Sequence, residues 1–306
     1  MHAPVTRRSA LLAAVSLPFA AALPRTARAA APMQGAAIAP FHRVTLGDFE
    51  ITTLLSGTRI VEDPHTIFGT NASDADFAAA AEAAFIPTDK TRFFFTPVLV
   101  NTGTELVLFD TGNSAAEITA ALAAAGIAPD QVDTVVITHM HGDHIGGLME
   151  GAAETFANAR YVTGAAEHNF WSAAGNAGFD AKVRPLNARM SFLDPGDSPL
   201  SGITAIAAPG HTPGHMAFRL ESGGQGMVLI ADTANHYVWS LEQPDWEVRF
   251  DSDKAQAAAT RRDLLGMIAA ERLPFVGYHM PFPALGHLEA KGAGWRYIPV
   301  SYQLSL

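Results

Sequence analysis

Strand and helix patterns alternate along the chain, short apolar runs bounded by Gly, Pro and Asn giving way to longer helical segments. Val98-Leu99-Val100, an Asn101-Thr102-Gly103 turn and Leu106-Val107-Leu108-Phe109 read as a hairpin. Ser114 to Ala125 is alanine-rich and helical, capped by Ser114 or Asn113 and ended by Gly126. Asp133 to Thr138 is a short apolar strand. Arg160 to Thr163 is another, followed by a helix around Ala165 to Ala173. Ile203 to Ala207 is a strand ending at Pro209-Gly210, and His215 to Glu221 with Met227 to Ala231 forms a second hairpin around Ser222-Gly223-Gly224. Asp253 to Ala270 is an amphipathic helix that leads into the strand Phe275 to Tyr278. No repeat or low-complexity linker interrupts residues 42–306. Strand-rich halves with helices outside them predict an α/β sandwich and not two separable domains.

Composition narrows the classes. The 306 residues are 48% hydrophobic and 16% charged, enough apolar material for a large core, which excludes disordered, collagen-like and coiled-coil chains. There is no cysteine, so disulfide frameworks, thiolate zinc sites, iron–sulfur ligation and cysteine nucleophiles are excluded. The net charge of −10 disfavours nucleic acid as a partner.

The first residues read as a leader. Thr6-Arg7-Arg8-Ser9 precedes an apolar run from Ala10 to Leu23, followed by Pro24, Arg25 and an Ala27-Arg28-Ala29 site. This is the layout of an export signal, and the paired arginines point to the twin-arginine route with cleavage after Ala29. The apolar run of about 14 residues, broken by Ser16 and Pro18, is too short to span a bilayer. The expected organisation is a signal over residues 1–29 and one hydrolase domain over 30–306, periplasmic or secreted, without a membrane anchor. Residues 1–29 carry four arginines and no acid, so the mature chain has 16 basic against 30 acidic groups, net −14.

The chemistry concentrates at strand ends. His139-Met140-His141-Gly142-Asp143-His144 places four metal-capable side chains within six residues, directly after the strand Asp133–Thr138. On a helix, positions i and i+2 point about 200° apart, so the four cannot share one face. An extended loop instead puts His139 and His141 on one side and lets Asp143 and His144 turn to a second position. Gly142, Gly146 and Gly147 would supply the backbone freedom. His211 in a Gly/Pro turn, Asp232 and His279 each follow an apolar strand as well. Taken singly, these are more often turn, cap or core residues. Together they form the pattern by which α/β folds build sites from strand ends on one edge.

The order H-x-H-x-D-H, then His, Asp and His, resembles the metallo-β-lactamase fold superfamily in its two-metal hydrolytic form, from about Phe41 to the C-terminus. The resemblance implies a four-layer αβ/βα sandwich, two zinc-like ions and often a homodimer. It implies that His139, His141 and His211 hold one ion, that Asp143, His144 and His279 hold the second, and that Asp232 bridges them. Asp110, in Phe109-Asp110-Thr111-Gly112, would orient ligand histidines from outside the ligand set, a role imidazole ligands generally require. His215 would pack behind the His211 turn.

Within the superfamily, true metallo-β-lactamases lack a bridging carboxylate at the Asp232 position, so the chain departs from them there. Glyoxalase II enzymes share the ligand set but are intracellular and carry a helical C-terminal region, whereas Trp295 to Val300 reads as strand here. Nuclease branches carry basic or inserted regions absent from this acidic chain. The resemblance is to exported proteins of the methyl parathion hydrolase group, through Phe250-Asp251-Ser252-Asp253-Lys254 and His279-Met280-Pro281-Phe282-Pro283. Acyl-homoserine lactonases come next. That resemblance places Trp171 and one of Phe93, Phe94 and Phe95, taken as Phe95, on the wall of an apolar pocket; His287 is a separate candidate for the pocket mouth.

Imidazole and carboxylate ligands without thiolate suit Zn²⁺, with Mn²⁺, Co²⁺ and Fe²⁺ also compatible. Metal lowers the pKa of bound water toward ~7, so a bridging hydroxide can attack a carbonyl carbon or phosphorus while Asp143 shuttles the proton. The expected substrates are neutral apolar lactones or esters, with organophosphate triesters at the side. Phosphodiester or β-lactam hydrolysis, or metal binding without turnover, are the alternatives. Asp110-Thr111-Gly112 and Asp232-Thr233-Ala234 also resemble the paired loops of aspartic proteases, but those all-β enzymes have no use for the histidine loop.

Overall fold

The hairpin expected over residues 98–109 occupies the middle of a seven-stranded sheet. A computed structural model describes residues 35–301; the export signal expected over residues 1–29 lies outside the described residues. In chain order, β1 (Phe41–Leu46) and β2 (Phe49–Leu54) form a first hairpin. Strands β3 (Gly57–Glu62) and β4 (Lys90–Phe95) pair in a separate ribbon, with helix α1 (Asp74–Ala83) between them. The hairpin β5 (Val98–Asn101) and β6 (Leu106–Phe109) follows, then α2 (Ala115–Ala124), β7 (Thr134–Ile137) and the single turn α3 (Gly142–Ile145). A small ribbon, β8 (Met149–Glu150) and β9 (Ala153–Glu154), precedes β10 (Arg160–Gly164), α4 (Ala165–Ala173), α5 (Ala177–Lys182) and β11 (Met190–Leu193). The second half supplies β12 (Ile203–Ala207), β13 (Met216–Ser222), β14 (Gln225–Ala231) and α6 (Lys254–Ala270). It closes with β15 (Phe275–Gly277), β16 (Leu285–Lys291) and β17 (Gly294–Pro299).

The large sheet runs β1-β2-β5-β6-β7-β10-β11 and the second runs β12 to β17 in sequence order. Local chemistry explains the element ends. The Ser114 hydroxyl accepts the Glu117 N–H at 3.2 Å and caps α2, and Gly126 stops it at φ 85°. Gly223 and Gly224 have φ 57° and 77°, the two left-handed residues that a tight β13–β14 turn needs.

Period-two alternation builds the layers. Val107 and Phe109 point between the sheets, where Phe109 meets Phe218 edge-on at 5.1 Å. Leu108 points the other way, into a core made with Ile118 and Leu122 of α2. Leu264, Leu265 and Ile268 of α6 pack with the second sheet. The result is the expected αβ/βα sandwich, two sheets face to face with helices outside. Truncating Phe109 or Phe218 to Ala would cost about 3–5 kcal/mol through the cavity left between the sheets. A third core joins the β3–β4 ribbon and α1 to Phe68 and Trp239. Among the described residues no helix is long and apolar enough to cross a membrane.

Strand direction positions the chemistry. β6, β7 and β10 are parallel, as are β14 and β15, so their C-terminal ends gather at one edge of each sheet. The Met216 N–H donates to the Thr138 carbonyl at 3.1 Å and ties the two edges together.

Candidate metal centre

The histidine loop is pinned where it leaves β7. Asp110, in the left-handed region at φ 60° directly after β6, accepts the Thr138 N–H at 2.8 Å and the Thr138 hydroxyl at 2.7 Å. The backbone is extended at His141, then folds into α3, with the His144 and Ile145 N–H groups donating to the His141 carbonyl at 3.0 and 3.2 Å. The loop is therefore not extended throughout, as the spacing suggested. One helical turn carries Asp143 and His144 round to the second position. The glycines also act differently from the expectation. A Cβ on Gly146 or Gly147 would lie 2.2 Å from the carbonyls of Asn113 or Thr111, so these two permit close approach to the Asp110 loop. Gly142 has open space around it.

Two clusters result. His139 Nε2, His141 Nδ1 and His211 Nε2 converge, with His141 Nδ1 at 3.2 and 2.9 Å from the other two. Asp143, His144 and His279 form the second, with Asp143 Oδ2 3.4 Å from His279 Nε2. Asp232 stands between them. Its Oδ2 lies 3.2 Å from both His211 Nε2 and His279 Nε2, and its Oδ1 lies 3.3 Å from His144 Nε2. A register shift between Leu229 and Ala231, with Ala231 at φ 44°, turns the end of β14 into this position.

Each imidazole except His141 is held by its far nitrogen. His139 Nδ1 faces Thr138 Oγ1 at 3.2 Å, and His144 Nδ1 faces Asp110 Oδ2 at 2.8 Å. His211 Nδ1 faces Asp251 Oδ1 at 2.9 Å, and His279 Nδ1 faces the Phe94 carbonyl at 2.8 Å. An acceptor at Nδ1 places the proton there and turns the Nε2 lone pair inward. His144 Nε2 and Asp232 Oδ1 are buried without a hydrogen-bond partner. Converging lone pairs and stranded buried acceptors are costly without a cation between them, so the donor set fits two metal ions.

Burial alone would raise the Asp232 carboxyl, but His279 and His144 outweigh it and hold the group well below the usual carboxylate range. His215 is pushed down to about 3 by burial and by His211. It stays neutral, donating from Nδ1 to the Ala208 carbonyl at 2.9 Å and accepting the Asp232 N–H on Nε2 at 3.1 Å. His215 thus steadies Asp232 from behind.

A match to the metallo-beta-lactamase superfamily spans residues 96–274. The chain belongs to that superfamily. The match begins just before β5 and ends just short of β15, so it takes in every ligand candidate except His279. Among curated relatives, an N-acyl homoserine lactonase of Bacillus sp is 26% identical over 136 residues, covering 44% of this chain and 52% of the relative. A hydroxyacylglutathione hydrolase of Dechloromonas aromatica (strain RCB) is 30% identical over 152 residues, covering 50% of this chain and 47% of the relative. The chain spans about half the length of the curated relatives it matches. Among solved structures, AidC, a dizinc quorum-quenching lactonase, superposes with TM-score 0.79 at 25% identity, covering 85% of this chain and 97% of that one.

A cavity of about 480 Å³ opens onto both clusters of this superfamily member. Its floor is His141, Asp143, His211, Asp232 and His279, and its walls are Val61, Ile67, Phe93, Phe95 and Phe250. Phe95 is therefore on the wall, joined by Phe93, because alternate residues of β4 face the same side. Two pocket expectations are corrected. Trp171 does not line the cavity; its indole N–H donates to Glu167 at 2.6 Å and its ring packs edge-on against His141 at 5.7 Å. His287 is at the opposite end of the second sheet, since its neighbour Gly286 pairs with Phe275 at the start of β15 whereas His279 follows that strand's end.

Sequence reasoning missed two buried acids. Asp251 accepts from His211 on one oxygen and from Arg261 Nη2 on the other at 3.0 Å, both partners buried. Glu167, on α4 and fully buried, accepts from the Met140 N–H at 2.9 Å, Trp171, the Thr212 hydroxyl at 2.7 Å and the Gly214 N–H at 3.0 Å. Burial raises its carboxyl despite these bonds. It joins the loop carrying His139 and His141 to the loop carrying His211. An acid within an alanine-rich helix gave no signal of this, and Asp251 was visible only inside the Phe250–Lys254 segment.

Proposed function

We propose that this superfamily member is an exported two-metal hydrolase of lactones and esters with apolar bodies, with zinc the favoured ion and phosphotriesters as side substrates. The apolar-walled cavity over two adjacent ligand clusters carries the reading. A body of aryl or alkyl carbon fits Phe93, Phe95 and Phe250 better than a sugar or a polyanion would. The lactonase relative and the dizinc lactonase structure support the same substrate chemistry. His139, His141 and His211 would hold one ion and Asp143, His144 and His279 the other, with Asp232 shared. Bound there, the two ions would supply Lewis acidity and water acidified toward pKa ~7.

The chain's own residues divide the remaining work. The Phe93, Phe95 and Phe250 wall excludes water and orients the acyl or aryl group over the clusters. Asp143 keeps 23% of its side chain accessible against 4% for Asp232, and it lines the cavity. Its carboxylate is thus placed to accept a proton and hand it to the leaving oxygen. Asp110, Asp251 and the Phe94 carbonyl hold the imidazoles in the tautomer the reaction needs.

The test is turnover of metal-loaded protein on an aryl lactone, an acyl-homoserine lactone, methyl parathion and a cephalosporin. Lactone hydrolysis is expected. Cephalosporin turnover alone would contradict the reading, and no turnover on any would favour a metal-binding protein. Export is supported by the Arg7-Arg8 leader; replacing both by Lys should leave precursor in the cytoplasm, and unaffected export would remove the twin-arginine route.

A further inference from the structure

We propose that Arg59 and Arg249 form a carboxylate-recognition point at the cavity mouth, and that the substrate is an ester or lactone with one anionic end. The proposal rests on the hydrolase reading above and narrows its substrate class. Both arginines line the cavity. They reach it from separate elements, Arg59 from β3 and Arg249 from the segment after Val248, which bridges to Phe68.

Neither makes an ion pair with an acid among the described residues, although the chain holds 30 acidic against 20 basic groups. Arg160, Arg184, Arg189, Arg219, Arg261, Arg262 and Arg296 pair with acids; of the described arginines that do not, Arg59 and Arg249 are the two that line this cavity. Among the described residues the acids lining the cavity are Asp143 and Asp232, which belong to the ligand clusters, so no spare carboxylate there meets the two guanidinium groups.

Each guanidinium also lies over a phenyl of the same wall. Arg59 Cζ is 5.7 Å from the Phe95 centroid and Arg249 Cζ is 5.1 Å from that of Phe250. Cation–π contact holds the stem along the apolar wall and leaves the planar fork of N–H donors free. Phenyl rings beside two guanidinium groups that make no ion pair among the described residues match a molecule with an apolar body and a terminal carboxylate, which guanidinium binds in bidentate fashion. A wholly neutral substrate would leave both forks unused.

The experiment compares 4-nitrophenyl valerate with 4-nitrophenyl hydrogen glutarate on metal-loaded protein. The two esters differ only in a terminal methyl against a carboxylate. The glutarate ester should be preferred in kcat/KM by roughly tenfold, about the effect of one charge-assisted hydrogen bond at a partly screened site. The preference should appear in KM and shrink with added salt. In the Arg59→Gln/Arg249→Gln double variant the ratio should collapse toward one, and the Lys/Lys variant should recover part of it. No preference in the wild type, or an unchanged ratio in the double variant, would overturn the proposal while leaving the hydrolase reading intact. If neither ester turns over, ester hydrolysis drops out of the hydrolase reading and lactone hydrolysis remains to carry it. Calorimetric binding of glutaric acid monoanilide against valeranilide then decides this proposal, since a preference for the acid that the double variant lacks supports it and equal binding refutes it.

Discussion

The two ligand clusters differ in what holds them. Behind His139, His141 and His211 stand buried charges, the Asp251–Arg261 pair and the Glu167 carboxylate that joins two loops. Behind His144 and His279 stand Asp110 and a main-chain carbonyl of the β3–β4 ribbon, while the Tyr278 hydroxyl donates to the Asp143 carbonyl. The first cluster is locked into the sandwich by a charged network. The second borrows part of its support from the same ribbon that lines the cavity. The support of the first cluster is thus separate from the cavity wall, whereas that of the second is shared with it.

Perturbing the supports should split the clusters. The largest effect is expected from Arg261→Met, which leaves the Asp251 carboxylate buried without its cation and should cost about 3–5 kcal/mol of stability. Denaturant midpoints read it directly, and an unchanged midpoint would dissolve the network account. Asp251→Asn and Asp110→Asn should each weaken metal binding by roughly 10–100-fold, as loss of an outer partner does. The first should release the ion of the His139 cluster alone, whereas the second should loosen the His144 cluster most and, through Thr138, the His139 cluster less. Titration with a chelator would show which ion leaves, and identical patterns would break the comparison.

Glu167→Gln keeps the shape but turns one accepting oxygen into an NH₂ that faces donors. Its cost should be about 1–3 kcal/mol, with weakened metal affinity confined to the first cluster. Equal weakening at both clusters would place Glu167 in general stability and not in loop positioning.

A smaller, pH-linked effect tests the packing beside the ribbon. Burial pushes His236 down to about 3, and its Nδ1 accepts the Val238 and Trp239 N–H groups at 3.1 and 3.2 Å. The unfolded chain, with a histidine pKa near ~6.5, binds the extra proton, so stability falls as pH drops below that value. The loss reaches up to about 1.4 kcal/mol per pH unit and levels off near the folded-state value. His236→Phe should make the dependence of metal-free Tm on pH shallower by that one group, leaving the contributions of the other histidines that burial lowers, His139, His141 and His215 among them. An unaltered slope would mean that His236 is not buried neutral.

Much of the sandwich was legible because its signals are local. The apolar runs at 98–100, 106–109 and 134–137 and the Ser114 cap each state their own structure, and they became β5, β6, β7 and α2. The β3–β4 ribbon was not legible, because Lys90–Phe95 mixes charge and aromatics without a clear alternation and its pairing with Gly57–Glu62 spans a whole helix. The strand-end positions of His139, His211, Asp232 and His279 could be read along the chain. Glu167 and Asp251 could not, since their roles depend on which loops the fold brings against them. Trp171 and His287 show the converse, since residue type suggested a pocket wall and strand geometry placed them elsewhere.

Asp232 stands where it would join the two ligand clusters into one centre. Metal content per chain by mass spectrometry, for the wild type and for Asp232→Ala after equal dialysis, tests it most directly. Two ions per chain are expected in the wild type and fewer than two in a variant that stays folded by circular dichroism. Two ions retained by Asp232→Ala would contradict it.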